Sequence, residues 1–596
     1  MEYVVLSQLI TLVMGAILYR ISEFEKYKYY VPVSSLVTAI ISVVLFILQI
    51  KNPSPSCWNL HNLLVLENMP CSLGILSDSL SVVVGGVVAI ITVLMNFYAI
   101  SYLRKNVPIF LLYVNALSFV TVIFATANGL LQSYISLEFM VIIFYFLSCH
   151  EGKAISTGFA IAFPHKLASV GFIVAMILIR CTFHSLDFDE INKISLQNDV
   201  QLRLLEIISL FLLLAIFAKT AQLGFSAWLR ELATIPMAAI ILSYSVASCG
   251  VLLLVRLQVI FECSEFIQNI IIAVGSLTAI LFAVRAIFSI DMNHILVYST
   301  CSQMGLMVIA CGFSAYGAAI FLFVTHAFAK SLLSFVAGAV IYALSGEQNI
   351  NKMGGLFELL PKTYAAFVVT TTSIICLPLM SSYYAYKVFL REIMNNGQLM
   401  YQPALLVIII TSLLMSVYMF RLVYKIFHGP KNLDKTILAY MTEDNVLMDR
   451  VIYVALFFSI FSGVIFYYSA YVDQVWKDVF AFSNEYGGSE IWLFLLINFA
   501  GIILAALICR SVKSTMVFHE FKFYESGLGV LKNIFLTAFC RIHKFIDEEI
   551  PQWFYQFFSR RHDILTDQGP LGAIMGSVCI MLIVFLCLAV RMVNSP

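Results

Sequence analysis

Five ionisable side chains lie inside stretches of sequence that are otherwise apolar enough to cross a lipid bilayer. One such stretch, FVTHAFAKSLLSFVAGAVIYA, contains both His326 and Lys330. A charge in the bilayer interior costs several kcal/mol, so residues of this kind usually face a partner or water and serve a function. The five are Glu138, Lys219, Lys330, Lys387 and, beside His165 and Pro164, Lys166.

Proton transfer is the chemistry that these residue types favour. A lysine paired with a carboxylate in a medium of low dielectric takes up or releases a proton when the partner moves, because pairing offsets the cost of burying the charge. His326 precedes Lys330 by four residues, so the two side chains share one helix face, one turn apart. We therefore expect a proton relay formed by Glu138, Lys219, His326, Lys330 and Lys387.

A purely structural interpretation is the alternative for the lysines and for His326. A lysine near the end of a helix can extend its ammonium group to the membrane interface, which is the alternative for Lys387 in particular. His326 could make a hydrogen bond between helices and have no further role.

The composition indicates a membrane protein and argues against several other classes. Of the 596 residues, 61% are hydrophobic and 12% are charged, so most of the chain must be solvated by lipid. A formal net charge of +1 lacks the basic excess of a nucleic-acid-binding protein. The 13 cysteines include no Cys-x-x-Cys pair, which argues against a metal site, an iron–sulfur cluster and a disulfide framework.

The apolar segments predict an all-α polytopic membrane protein with about sixteen spans. A hydrocarbon core about 30 Å thick needs about 20 apolar residues per helix, and backbone groups in lipid must be hydrogen-bonded within their own segment. The predicted spans are 3–20, 31–50, 80–101, 108–127, 130–149, 157–181, 203–222, 235–255, 266–288, 292–312, 316–344, 364–386, 403–424, 451–471, 489–509 and 571–591.

Two residues predict a helix break close to a lysine of the apolar runs. Gly224 follows Lys219 by five residues, and Pro378 precedes Lys387 by nine. Interrupted helices in transporters expose backbone groups that line water-filled paths. A simple kink is the alternative at both positions.

Basic residues in short loops predict the orientation of the bundle. The loops that follow odd-numbered spans carry Lys105, Lys352 and Lys362 among others, whereas a loop on the opposite side contains the acidic run 187–190. The positive-inside rule places the basic loops on the cytoplasmic side.

The chain divides into three predicted parts. Residues 1–510 form the helix bundle, residues 511–570 an amphipathic lateral helix, and residues 571–596 a C-terminal transmembrane anchor. The middle part is too charged to span and too apolar for a free linker, which is typical of a helix lying along a surface. An ordinary juxtamembrane loop is the alternative.

Residues 291–356 contain a series of short motifs that resembles one family. They are Tyr298-Ser299-Thr300, Ser302-Gln303, Thr325-His326-Ala327-Phe328 with Lys330, Gly346-Glu347-Gln348 and Lys352-Met353-Gly354-Gly355. This series resembles subunit L (chain 5) of the proton-pumping NADH–quinone oxidoreductase, respiratory complex I. The family is related to large subunits of multisubunit cation/proton antiporters. Sparser similarity covers most of residues 78–390.

The resemblance implies a role for each residue of the relay. Glu138 and Lys219 resemble the glutamate–lysine pair of a first half-channel. Lys330, with His326, resembles the connecting relay, and Lys387 resembles the lysine at the outlet. Auxiliary candidates are Lys166, Tyr298 and Thr325.

The resemblance also implies a fold, and it implies which cofactors are bound by partner subunits rather than by this chain. The family fold has two inverted five-helix repeats, each with a broken helix, followed by the lateral helix and the anchor. The chain itself would bind no metal, NADH, flavin, iron–sulfur cluster or quinone, and these cofactors are expected in partner subunits. The partners would be other membrane subunits of complex I or antiporter-like subunits, the lipid bilayer and protons, without nucleic acid.

The chain departs from the family pattern around the first half-channel. Leu242 lies near the position of a family histidine, in a shortened stretch that follows Trp228. Lys166 and Ser169 replace an arginine and an aspartate. Further differences are Leu322 in place of a histidine, Gly224 in place of a proline, and Lys387 one residue out of register. The first half-channel is thus depleted, whereas the central relay is intact.

Three hypotheses follow from these observations. The first is a divergent proton-translocating subunit of complex I, without redox chemistry of its own. The second is a component of a multisubunit monovalent cation/proton antiporter, and the third is a membrane scaffold that has lost transport. Residue usage rich in Ile, Phe and Lys favours a bacterial inner membrane, with a mitochondrial inner membrane as the alternative.

Overall fold

The apolar runs of the chain form helices, because an α-helix satisfies its backbone groups within one segment. A computed structural model of the protein describes residues 1–20, 28–51, 56–60, 65–66, 69–70, 73–103, 105–150, 155–195, 201–226, 228–233, 237–395, 401–431, 445–472 and 489–511. Within these residues, 11 helices are long and apolar enough to cross a membrane.

The helices follow the predicted spans closely. Every predicted span up to 489–509 overlaps a helix, although residues 220–222 and 375–380 within two of the spans are not helical. Span 571–591 and nearly all of the lateral segment 511–570 lie outside the described residues. The helices are α1 (Glu2–Arg20), α2 (Tyr30–Lys51), α3 (Ser79–Tyr102), α4 (Val107–Ala125), α5 (Leu130–His150), α6 (Ile155–Phe183), α7 (Phe188–Ser195), α8 (Leu202–Lys219), α9 (Trp228–Leu232), α10 (Ala238–Ile241), α11 (Ala247–Arg256), α12 (Gln258–Phe261), α13 (Glu265–Phe288), α14 (Met292–Gly312), α15 (Tyr316–Ala343), α16 (Pro361–Ile374), α17 (Ser381–Asn395), α18 (Tyr401–Val423), α19 (Val446–Val472) and α20 (Ser489–Ser511).

Four short strands between α2 and α3 were not expected from the sequence. They are β1 (Ser56–Leu60), β2 (Val65–Leu66), β3 (Met69–Pro70) and β4 (Leu73–Ser77). β1 pairs antiparallel with β4, and β2 pairs antiparallel with β3.

Helix α15 forms the centre of the bundle. Its most apolar 18-residue window is entirely buried, whereas only 33% of the corresponding window in α2 or in α19 is buried. It contacts α3, α14, α16, α17 and α19. The helix that carries Lys330 is therefore shielded from lipid by its neighbours.

The first predicted break separates α8 from α9. Helix α8 ends at Lys219, and residues 220–226 are not helical. Gly224 lies in this segment with φ +90°, a conformation that glycine adopts at little cost. A Cβ atom on Gly250 of α11 would lie 1.7 Å from Thr220 Cγ2, so the end of α8 packs directly on the backbone of α11.

The second predicted break makes the span at 364–386 two helices rather than one. Residues 375–380 separate α16 from α17. Pro378 lies in this segment and cannot donate a backbone hydrogen bond. Cys376 and Leu379 have φ +63° and +72°, a region that residues with side chains rarely adopt.

A π-helical turn joins α10 to α11, so that the three segments form one continuous helix. It covers Leu242–Val246, all five residues of which are buried. In the segment from Ala238 to Arg256, 94% of the most apolar 18-residue window is buried, and the segment contacts both α14 and α15.

Candidate functional site

The first charged cluster joins α5, α6 and α8. Glu138 accepts hydrogen bonds from the ammonium group of Lys166 and the hydroxyl of Ser169, both on α6. Lys219 Nζ lies 3.6 Å from Glu138 Oε1 and has no hydrogen-bond partner among the described residues. One carboxylate thus faces two ammonium groups, of which Lys219 is the more loosely held.

His165 lies beside this cluster without a polar partner of its own. Its ring centroid is 4.6 Å from that of Trp228, and neither ring nitrogen makes a hydrogen bond to a described residue. The side chain is 2% exposed. His165 therefore packs as an aromatic ring at the edge of the charged cluster.

The second cluster surrounds Lys330 at the centre of α15. The Lys330 side chain is completely buried, and its ammonium group donates to the hydroxyl of Ser299 on α14. Ser299 Oγ in turn donates to the carbonyl of Leu296 at 2.8 Å. No ion pair joins Lys330 to a carboxylate within the described residues, so a neutral hydroxyl is its hydrogen-bond acceptor.

The neighbours of Lys330 in the motif have different environments. His326 Nε2 is buried without a hydrogen-bond partner among the described residues. Thr325 donates to the carbonyl of Phe321 in its own helix at 3.1 Å. Tyr298 lies with its ring centroid 5.3 Å from the guanidinium carbon of Arg285. The structure thus brings His326 to the central cluster, whereas the Thr325 hydroxyl is bonded to its own backbone.

The third cluster lies on α17 beyond the second helix break. Lys387 is half-buried, and its Nζ lies 5.8 Å from the centre of the Tyr467 ring on α19. The adjacent Tyr386 donates its hydroxyl to Gln303 Oε1 of α14 at 2.8 Å.

Helix α14 therefore contacts both the central and the outer cluster. Ser299 bonds Lys330 and Gln303 bonds Tyr386, and the two residues are one helical turn apart on the same face. Both lie in the motifs at residues 298–303, yet neither was predicted to be a site residue. Their four-residue spacing on a helix facing Lys330 was the signal that could have identified them.

The second helix break is supported by a polar side chain from a distant helix. Asn498 of α20 donates to the carbonyl of Ile375 at 2.8 Å. Its side-chain oxygen accepts from Ser412 and from Ser416, the latter at 3.1 Å. A carbonyl left unpaired by the break is thus satisfied inside the protein.

The Gly-Glu-Gln motif organises a loop outside the spans. Glu347 accepts from the backbone of Asn349 at 2.9 Å and from Lys352 Nζ at 3.1 Å. Desolvation raises the pKa of Glu347, but these hydrogen bonds and the lysine charge outweigh it, so the pKa lies below its usual value. Gly346 provides the turn with φ +98°.

A bundle of membrane-spanning helices, interrupted beside the buried Lys219 and the half-buried Lys387, defines an antiporter-like membrane protein. In the parts of the chain that the structure describes, no group of three or more His, Cys, Asp or Glu side chains is arranged to hold a metal ion.

Comparisons with known proteins agree with this class. Residues 127–416 match the family NADH:quinone oxidoreductase/Mrp antiporter, TM. NADH-ubiquinone oxidoreductase chain 5 of Rhizopus stolonifer is 31% identical over 72% of this chain and 67% of its own length. The chain therefore belongs to the family of NADH–quinone oxidoreductase chain 5 (subunit L), and the resemblance predicted from its motifs is confirmed.

Other relatives match a smaller share of their own length. Chain 5 of Chondrus crispus is 31% identical over 71% of this chain and 64% of the relative. NADH-quinone oxidoreductase subunit L of Rickettsia bellii (strain RML369-C) is 29% identical over 67% of this chain and 63% of the relative. The chain thus spans slightly less than two thirds of these relatives.

Two solved structures share the fold. A chain of the membrane-bound sulfane sulfur reductase, an archaeal respiratory membrane complex, has a TM-score of 0.73 and 18% identity, covering 98% of this chain and 99% of that one. A chain of the Mrp complex from Dietzia sp. DQ12-45-1b has a TM-score of 0.74 and 17% identity, covering 100% of this chain and 63% of that one.

Proposed function

We propose that this chain is a proton-translocating membrane subunit of NADH–quinone oxidoreductase. The observation that carries the proposal is the completely buried Lys330, whose ammonium group is held by the neutral hydroxyl of Ser299. A lone buried charge is costly, so this site can alternate between the ammonium and the neutral amine when nearby charges change.

The first cluster supplies charges that can change in this way. Glu138 binds Lys166 tightly, whereas Lys219 is 3.6 Å away without a hydrogen bond. Lys219 is therefore the lysine of the pair that can release its proton with the smaller loss of contacts. A shift of Glu138 toward Lys219 would favour its ammonium form, because opposite charges in a low-dielectric medium attract strongly.

The relay would respond to electron transfer that takes place in other subunits. NADH, flavin, iron–sulfur clusters and quinone are expected in those partners, and this chain supplies only proton-binding side chains. Membrane subunits of the same assembly are its expected neighbours, in a bacterial or mitochondrial inner membrane. The lateral helix predicted at 511–570 is a candidate contact with them.

A component of a multisubunit cation/proton antiporter is a second candidate. It is favoured by the fold shared with the Mrp complex, which extends over 100% of this chain. An antiporter would move protons in exchange for sodium without NADH oxidation, so sodium-dependent flux by the isolated assembly would support this candidate.

The test combines purification with one substitution. The full chain is purified from gently solubilised native membranes, and its assembly is assayed for NADH–quinone reductase activity and for companion subunits. Lys330→Ala should abolish most proton translocation by the assembled complex, because it removes the buried proton-binding group. Lys105→Ala is the matched control, since Lys105 is exposed in a loop. Absence of reductase subunits, or normal translocation by Lys330→Ala, would overturn the proposal.

A further inference from the structure

A small cavity lies where α3, α10, α14 and α15 meet. It has a volume of about 20 Å³ and is lined by Tyr102, Asn293, Ser334, Gly338 and residues 237–239, among others. A volume of this size is enough for one water molecule when polar partners are present.

Ser334 supplies an unused polar group in the wall of this cavity. The residue is 6% exposed, and its hydroxyl has no hydrogen-bond partner among the described residues. A buried hydroxyl left unpaired costs about 1–3 kcal/mol. A water molecule in the cavity would remove that cost.

The cavity is connected to the surroundings of Lys330 through residues of two helices, α14 and α15. Ser334 follows Lys330 by four residues, so both lie on one face of α15. Leu296 of α14 also lines the cavity, and its carbonyl accepts from Ser299, which holds Lys330.

The position of the cavity places it between Lys330 and one membrane face. Lys330 lies eleven residues before Ile341, which also lines the cavity, a distance of about 16 Å along the helix axis. That is about half of the hydrocarbon core. The loops on this face carry Lys105 and Lys352, which marks it as the cytoplasmic or matrix side.

Part of the wall comes from the segment in which the chain departs from its family. Residues 237–239 line the cavity and lie just before Leu242, which is near the position of a histidine in the family pattern. The depleted first half-channel and the cavity therefore share one short stretch of sequence.

We propose that this cavity binds a water molecule and is the port through which protons reach Lys330 directly, without passing through the Glu138 cluster. The inference rests on the proposed function. The water bound to Ser334 gives up a proton toward Lys330, which lies one helical turn away on the same face of α15. An N–H bond forms on the neutral amine of Lys330, and the hydroxide left in the cavity is neutralised from the aqueous face.

Two substitutions that introduce side chains of the same shape test the role of the Ser334 hydroxyl. Ser334→Thr keeps the hydroxyl, whereas Ser334→Val places a methyl group in its position. Proton uptake by membrane vesicles is measured per assembled complex, with the assembled amount determined on native gels. Ser334→Val should be slower than Ser334→Thr by about tenfold or more, as expected when a positioned proton-transfer group is lost.

Ser331→Ala is the control, because the Ser331 hydroxyl donates to the carbonyl of Ala327 in its own helix at 2.7 Å. It should retain uptake within about twofold, the range expected for a hydroxyl outside the transfer path. Equal uptake by Ser334→Val and Ser334→Thr would overturn the port. If that equality occurs while Lys330→Ala loses translocation, the proposed function stands and only the port is wrong.

A second measurement does not depend on transport. A cryo-electron microscopy map of the purified assembly, at a resolution that shows ordered water, should contain density within hydrogen-bond distance of Ser334 Oγ. The same map of Ser334→Val should lack it. An empty cavity in the native assembly would overturn the port even if Lys330 proves essential.

Discussion

The ammonium group of Lys330 donates to the hydroxyl of Ser299, which itself donates to the carbonyl of Leu296 at 2.8 Å. Both side chains are buried, with exposures of 0% and 1%. The hydroxyl fixes the position of the ammonium group but adds no opposite charge. The Lys330 ammonium group is therefore positioned by a hydrogen bond, with no carboxylate paired to it among the described residues.

Ser299→Ala should impair proton transfer without removing the lysine. A hydrogen bond to a charged group contributes about 2 kcal/mol, and its loss should lower proton translocation per assembled complex by about tenfold or more. Ser302→Ala is the matched control on the same helix, because Ser302 donates to the carbonyl of Ala279 on α13 at 2.8 Å. Equal translocation by the two variants would contradict the role assigned to Ser299.

Glu138→Gln should lower the stability of the protein more than the loss of either lysine that Glu138 faces. The substitution leaves Lys166 and Lys219 side by side without a carboxylate, and breaking a buried ion pair in this way costs about 3–5 kcal/mol. The thermal stability of the solubilised protein should fall accordingly. The double variant Glu138→Gln/Lys166→Met should recover part of that stability, because it removes one of the two like charges.

A double variant no more stable than Glu138→Gln would show that like-charge repulsion is not what destabilises the cluster. Proton translocation should stay low in both variants, since the carboxylate is missing from each. This second readout separates the structural effect of the charge from its part in transport.

A partly buried ion pair at the other membrane face should make stability depend on pH. Arg256 donates to Asp78 Oδ2 at 2.5 Å and to Oδ1 at 2.9 Å. Burial raises the pKa of Asp78, but the Arg256 charge and the hydrogen bonds from Arg256 and Ser81 outweigh it, so the pKa lies below its usual value. The folded state then binds fewer protons than the unfolded state, and the stabilisation is complete at neutral pH and declines as the pH falls below about 4.

Asp78→Asn should lower the stability of the solubilised protein at pH 7 by about 2 kcal/mol, because it weakens the hydrogen bonds from the charged Arg256. Thermal unfolding followed by intrinsic fluorescence between pH 7 and the acid range gives the comparison. The difference between native protein and variant should shrink on acidification, because the native carboxyl becomes protonated. A difference that is constant over this range would contradict the assignment.

Much of the architecture was predictable because hydrophobicity alone marks membrane-spanning helices. The spacing of His326 and Lys330 and the charges at Glu138 and Lys219 were also visible in the sequence, and the structure places the last two 3.6 Å apart. Neighbouring charges in lipid have few possible partners, so their pairing is strongly constrained.

The partners supplied by neutral side chains were not predictable in the same way. Hydroxyl and amide residues are frequent in these helices, and the ones that face a buried lysine depend on how the helices pack. Ser299 and Gln303 face the relay because of the rotation of α14, and Asn498 reaches the second break from α20. The left-handed conformations of Cys376 and Leu379 likewise follow from the break and have no local signal.

The rotation of α14 itself depends on a contact between two glycines. A Cβ atom on Gly305 would lie 2.7 Å from the carbonyl oxygen of Gly275 and 2.7 Å from the backbone nitrogen of Ala279 on α13. The two helices thus touch backbone to backbone, as small residues permit in membranes.

Gly305→Ala should therefore force α13 and α14 apart, at a cost of about 1–3 kcal/mol. Gly86→Ala on α3 is the matched control, because a Cβ atom there meets nothing within 4 Å and alanine favours a helix over glycine by about 1 kcal/mol. Thermal unfolding should thus shift down for Gly305→Ala and slightly up for Gly86→Ala. Because Ser299 and Gln303 lie on the displaced helix, proton translocation per assembled complex should fall in the first variant only. A Gly305→Ala protein as stable and as active as Gly86→Ala would show that the close approach does not position the relay.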